Sequence, residues 1–207
     1  MNRKWSLAII ILVTVILVNS IIFFKANTDK NNEYEVAKMG TELSENIGEI
    51  TPDVLIEQSF ISDQNDLSQL NLFFSTFNRL NNGETIIQLL DGETKEIIRK
   101  ININNEEITD NDFFNIKFDP ITNSKNRKLI LNIKSYNTDS LNAVTIWIDR
   151  TKSKNSGLKV NGLHEEGSIV FDLIYENKIN LQDILWTNVF FVFLNILISR
   201  LFIFLKR

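Results

Sequence analysis

The sequence predicts an all-β protein, an antiparallel β-sandwich of jelly-roll-like form, held between two transmembrane helices. Three observations carry this. Short β-rich runs follow one another from residue 54 to 175, separated by turn signals roughly every 8 to 15 residues, the density of a sandwich. Phe114, Ile116 and Phe118 alternate with Asn115 and Lys117, and Leu129, Leu131 and Ile133 with Asn132 and Lys134, so each run has one apolar face. Long apolar stretches lie at both extremes of the 207 residues.

In chain order, Trp5 to Phe24 is free of charge behind Arg3 and Lys4 and ahead of Lys25, the length and flanks of a membrane span, and residues 1–25 are read as an N-terminal anchor. No small-x-small site follows, so cleavage as a signal peptide is disfavoured. Residues 26–53 are polar and weakly patterned and read as a spacer with one short helix before Pro52. The sandwich is placed at 54–178, with strands over 54–61, 67–78, 84–90, 95–103, 112–118, 128–136, 142–150 and 168–175. Asn82-Gly83 and Asp91-Gly92 are strong hairpin signals, which predicts a three-stranded meander. Residues 184–205 form the second span, about 33 Å at about 1.5 Å per residue, broken only by Arg200, which can snorkel towards Lys206 and Arg207.

The basic flanks predict that both termini are cytoplasmic and the middle is outside. All 26 acidic residues fall between Asp29 and Asp183 against 16 basic ones, a net charge of −10 that argues against nucleic acid or anionic lipid as a ligand. The chain has no cysteine, and its 27 asparagines include no Asn-x-Ser/Thr sequon. Together with the excess of Asn, Ile and Lys, this points to a bacterial plasma membrane.

Gln58-x-Phe60, Asn65-Asp66-Leu67-Ser68, the run Thr76-Phe77-Asn78-Arg79-Leu80-Asn81-Asn82-Gly83, and Phe118-Asp119-Pro120-Ile121 with Ser124 are the residues that matter next. Their succession resembles an extracytoplasmic carbohydrate-binding-like sandwich found in bacterial membrane proteins of cell-surface polysaccharide and glycosyltransfer systems. The resemblance covers about residues 56 to 175. It implies a non-catalytic accessory to a multi-spanning membrane glycosyltransferase or exporter, whose own machinery is absent from this chain, and a cell-surface glycan as ligand. A chain-length regulator of polysaccharide polymerisation, or a pure docking scaffold, is the alternative. Such regulators carry long external helices and a proline-rich stretch, whereas this chain has only Pro52 and Pro120.

Arg79, Asn81 and Asn82 are candidate glycan ligands, because planar guanidinium and amide groups suit sugar hydroxyls; the competing role is to serve the turn and pair with a nearby acid. Trp147 falls on the face opposite Val144, Ile146 and Ile148 and is a candidate stacking platform, unless a strand or loop covers it. Asp110-Asn111-Asp112 looks like a nucleotide-sugar metal motif, but it lies outside the cell where nucleotide sugars are absent. A structural Ca²⁺ at Asp110, Asp112 or Asp119 is the reading left, against a solvated loop. His164 has no partner pattern and receives no role, no paired carboxylates stand out, and no cofactor is expected. On the second span Asn188, Asn195 and Ser199 share one stripe, and Thr14 sits on the first. They are candidates for contact with a partner helix, or for pairing between this chain's own spans.

Overall fold

The computed structural model describes residues 13–22, 34–151, 157–176 and 181–205, which fall into two compact units. Tyr34–Glu176 is a two-sheet antiparallel sandwich. Its strands are β1 (Tyr34–Met39), β2 (Glu45–Asn46), β3 (Leu55–Ile61), β4 (Leu67–Ser75), β5 (Glu84–Asp91), β6 (Ile97–Asn104), β7 (Asp112–Ile121), β8 (Lys128–Tyr136), β9 (Thr145–Asp149), β10 (Leu158–Val160), β11 (Leu163–His164), β12 (Ser168–Ile169) and β13 (Phe171–Glu176). One sheet runs β1-β13-β4-β9-β12, with β2 on β9 and β7 on β4; the other runs β11-β10-β3-β8-β5-β6.

The alternation read from the sequence is the alternation observed. Leu129, Leu131 and Ile133 on β8, Ile87 and Leu89 on β5, and Leu70, Leu72 and Phe74 on β4 are fully buried and face one shared core. Phe114 and Phe118 pack against that core but are only half-buried, because β7 is an edge strand paired to β4 alone. The two sheets meet through the Phe60 and Phe171 rings at 5.5 Å and through a polar tie, in which Gln58 Oε1 accepts from Ser168 Oγ at 3.2 Å and from the Ile169 amide at 3.1 Å. Gln58 is fully buried, so this tie is made in a site that water does not reach.

Three expectations are corrected. The span read as a spacer contains β1 and β2, and no helix precedes Pro52 among its described residues, so the sandwich starts at Tyr34. Tyr34 to Met39 alternates too weakly in polarity to stand out; what holds it is the full ladder with β13, Tyr34 opposite Glu176 through Met39 opposite Phe171. Just beyond, the buried Asp149 carboxylate accepts from the backbone amides of Thr41 and Glu42 and from the amide and hydroxyl of Thr151. Burial alone would raise this carboxyl; the Thr151 hydroxyl and the three amides outweigh it and bring the pKa to about 2.

The third correction concerns the meander. Asp91-Gly92 does join paired strands, β5 and β6: Asp91 accepts from the amides of Glu93 and Thr94 and pairs with Arg127 at 2.6 Å. The Thr94 amide first, then the Arg127 guanidinium, hold its carboxyl well below the ordinary carboxylate range. Asn82-Gly83 does not make a hairpin. β4 and β5 belong to different sheets, and residues 76–83 carry the chain from one to the other. Gly83 is required there for another reason: at φ +78° a Cβ would lie 2.6 Å from the carbonyl oxygens of both Tyr136 and Asn137.

Register fixes which loops share an end. Tyr34 lies opposite Glu176 and Tyr175 opposite Leu67, so both ends of the domain sit beside the start of β4. Ser75 finishes β4 at the other end, roughly 26 Å away at about 3.3 Å per residue. On the second sheet, Glu84 lies opposite both Asn104 and Tyr136. Loops 76–83, 105–111 and 137–144 therefore gather at the end remote from Tyr34 and Glu176.

The second unit contains α1, described over 13–22, and α2 (Leu181–Leu205). Asn19 and Asn188 exchange amide hydrogen bonds at 2.9 and 3.1 Å, a reciprocal pair that joins the two helices. Side chains of α2 are described without a break only over 185–197, and among the described residues no helix is long and apolar enough to cross a membrane.

Candidate functional site

Two of the gathered loops, 76–83 and 105–111, line an open hollow of about 500 Å³ through Arg79, Leu80, Asn81, Asn82, Asn105, Glu106 and Ile108. It is built from the strand ends upward. Thr85 on β5 and Ser135 on β8 take inward positions that their neighbours fill with Ile and Leu. They bond to each other at 2.9 Å, and Thr85 donates to Asn105 Oδ1 at 2.7 Å. Asn105, itself buried, donates to the Asn82 carbonyl at 2.9 Å and with its own amide to that of Gly83 at 3.1 Å. The base of loop 76–83 is thus tied to the 105–107 turn by a closed polar chain.

The other end of the same loop is fixed by Asp110. Its Oδ1 accepts from the Thr76 amide at 2.6 Å, the Ser75 hydroxyl at 2.8 Å and the Thr76 hydroxyl at 3.0 Å. Desolvation pushes its carboxyl up, but the Thr76, Ser75 and Asn78 donors together prevail and hold it below the ordinary value. So anchored, the chain turns through Phe77 and Asn78, both left-handed at φ 56° and 54°, and delivers Arg79 and Asn81 towards loop 137–144.

Arg79 Nη2 donates to the Ala143 carbonyl at 2.9 Å, and Asn81 Nδ2 donates to the same oxygen at 2.7 Å and to that of Asn142 at 2.9 Å. The Arg79 guanidinium also lies over the Phe77 ring at 4.7 Å and 3.8 Å from a Glu49 carboxylate. Two polar atoms remain: Arg79 Nε and Asn81 Oδ1 are buried without a hydrogen-bond partner. Leu80, between these residues, is 96% exposed, and together with Ile108 it gives the hollow an apolar element beside its polar wall.

Arg79, Asn81 and Asn82 are therefore brought together. Trp147 is not part of the wall; it is half-buried on β9, and its indole N–H donates to Asn111 Oδ1 at 2.9 Å. Asp110, Asp112 and Asp119 do not converge on one ion. Asp110 is engaged by loop 76–83, and Asp112 and Asp119 are seven residues apart along extended β7, roughly 23 Å. Among the described residues no group of three or more His, Cys, Asp or Glu is placed to hold a metal. In α2, Asn188 pairs with Asn19, Asn195 Nδ2 donates back to the Phe191 carbonyl at 2.8 Å, and the side chain of Ser199 lies outside the described residues.

Leu80, Asn105, Glu106 and Ile108 were not singled out in the sequence. Thr85 and Ser135 carry the missed signal, as hydroxyls at core-facing positions beside the aliphatic Ile87, Leu89, Leu131 and Ile133. A polar residue at such a parity needs a buried partner, and Asn105 is that partner.

The chain matches no family model, and no curated protein matches it.

Proposed function

We propose that this protein is a non-catalytic, membrane-anchored glycan-binding accessory of the bacterial cell envelope, serving a membrane glycosyltransferase or a polysaccharide exporter. The observation that carries the reading is the hollow lined by loops 76–83 and 105–111, whose Arg79 and Asn81 head groups are held by the carbonyls of loop 137–144. It sets amide and guanidinium groups beside exposed Leu80, and a sugar ring likewise has hydroxyl edges and apolar C–H faces. The anchors are the apolar runs Trp5 to Phe24, free of charge, and Ile184 to Leu205, broken only by Arg200, with basic residues on the cytoplasmic flank of each. Within the domain, the hollow lies at the end remote from Tyr34 and Glu176. The similarity to carbohydrate-binding-like sandwiches runs through the same residues, Thr76 to Gly83.

The docking-scaffold alternative draws less support, because it asks Asn188 to meet a foreign helix while that amide is already engaged by Asn19. The test is binding of the full chain, reconstituted in phospholipid nanodiscs that carry no sugar, to purified envelope polysaccharides. Millimolar binding that Arg79→Ala abolishes is expected, about −4 kcal/mol, as few-contact sites give. A chain inert to every envelope glycan would overturn the reading.

A further inference from the structure

We infer that the hollow selects an uncharged, hydroxyl-bearing sugar and discriminates against uronates and sugar phosphates. This rests on the glycan reading above and specifies the class of sugar.

Arg79 Nη2 and Asn81 Nδ2 both donate to the Ala143 carbonyl, so the two head groups sit side by side. Among their buried polar atoms, one donor, Arg79 Nε–H, and one acceptor, Asn81 Oδ1, have no hydrogen-bond partner. Turning the Asn81 amide over does not remove the mismatch, because its nitrogen already serves two carbonyls, and an oxygen there would meet two acceptors. Asn81 is only 5% exposed, and an unmet buried acceptor is costly to fold around. A hydroxyl group answers both atoms, because it accepts through a lone pair and donates its own proton. A carboxylate or phosphate group seated on this pair can only accept, so it would satisfy Arg79 Nε while setting an anion against Asn81 Oδ1. A uronate or sugar phosphate therefore meets the pair only through one of its hydroxyls, and its charge must lie elsewhere in the hollow.

The charges point the same way. Glu49 lies 3.8 Å from the guanidinium, and Glu106 lines the hollow, so one cation stands against two carboxylates. An anionic ligand would have to approach Glu106 in the wall and compete with the Glu49 carboxylate for Arg79, whereas a neutral ligand meets neither repulsion. Leu80 supplies exposed apolar contact for the C–H face of such a ring.

The test uses the full chain in phospholipid nanodiscs, titrated by ligand-observed NMR with neutral hexoses (glucose, galactose, mannose, N-acetylglucosamine), with glucuronate and with glucose 1-phosphate. At least one neutral sugar should bind in the millimolar range, and both anions at least fivefold more weakly. Arg79→Lys retains the charge and a donor for the Ala143 carbonyl but lacks Nε–H. It should weaken the neutral sugar about tenfold while moving the melting temperature by less than about 2 °C. Leu80→Ala, at a position too exposed to affect folding, should weaken it several-fold. Glu106→Gln should raise glucuronate binding relative to the neutral sugar. Tighter binding of glucuronate or glucose 1-phosphate than of every neutral hexose would overturn the inference and leave glycan binding standing. No binding of any sugar or polysaccharide would remove the underlying reading itself.

Discussion

Replacing Asp110 tests whether the shape of the hollow depends on a single carboxylate. Asp110 Oδ1 receives the Thr76 amide and the Ser75 and Thr76 hydroxyls, and both Ser75 and Thr76 are 5% exposed. In Asp110→Ala the hydroxyls can rotate towards other acceptors, but the Thr76 amide cannot; an orphaned buried N–H costs about 1–3 kcal/mol, and the weakened hydroxyls add about 1 kcal/mol. A loss of about 3 kcal/mol corresponds to roughly 9 °C at about 3 °C per kcal/mol for a domain of this size. Asp110→Asn keeps one acceptor for the amide and loses only the charge, so about 1 kcal/mol and roughly 3 °C are expected. The sign of the pH dependence follows from the lowered pKa. The native carboxyl titrates below its unfolded value of about 3.9, so its stabilisation is present above that pH and fades as pH falls through the folded pKa. The gap between the native chain and Asp110→Asn should therefore narrow as pH falls below about 4. The assay is urea unfolding of residues 34–176 followed by Trp147, the single tryptophan of that fragment, whose indole N–H is bonded to the neighbouring Asn111. If Asp110→Ala unfolds within about 0.5 kcal/mol of the native fragment, loop 76–83 is held by something other than this clamp.

Further outcomes can be checked alongside. The fragment 34–176 should be soluble with a β-type circular-dichroism spectrum, whereas a fragment starting at 54 loses β1 and two amides that serve Asp149, and should aggregate or melt at least 10 °C lower. Asp149→Asn should cost about 2 kcal/mol at pH 7, the equivalent of a shift from 3.8 to about 2, with the deficit vanishing as pH falls through about 2; a deficit that persists at pH 2 would count against the carboxylate as its source. Cysteines placed at Asn19 and Asn188, in a chain that has none of its own, should be joined by a short bifunctional thiol reagent within one chain, and failure to cross-link would refute the amide pair.

The strands were legible because a half-buried strand writes its burial into alternate residues. Leu129, Leu131 and Ile133 announce β8 in any context. β1 was not legible, since its place depends on the backbone ladder to β13 and on Asp149, more than 100 residues away in sequence. The same limit explains the misread Asn-Gly. That dipeptide reports a backbone that needs positive φ, and a tight hairpin is only its commonest cause. At Gly83 the cause is the close approach of Tyr136 and Asn137, a long-range contact that local sequence does not encode. Arg79, Asn81 and Asn82 were recognisable by chemistry alone, whereas Asn105 and Glu106 joined them only through the fold.

On the glycan-binding reading proposed above, turn-holding and binding by Arg79 and Asn81 do not exclude one another. Nη2 of Arg79 and Nδ2 of Asn81 hold loop 137–144 in place by bonding to the carbonyls of Asn142 and Ala143. Had the structural role been their whole role, a serine or a single lysine donor would have met those carbonyls without burying two further polar atoms. The residues present bury Nε and Oδ1 unmet, at a cost on the order of 1–3 kcal/mol for each group. A cost of that kind is tolerated where a ligand can recover it, because an incoming hydroxyl then gains the two hydrogen bonds and the protein loses no water in making them. The same bonds to Ala143 also preorganise both head groups, so little side-chain entropy is lost on binding. Holding the loop and presenting a ready donor and acceptor are thus consequences of one arrangement.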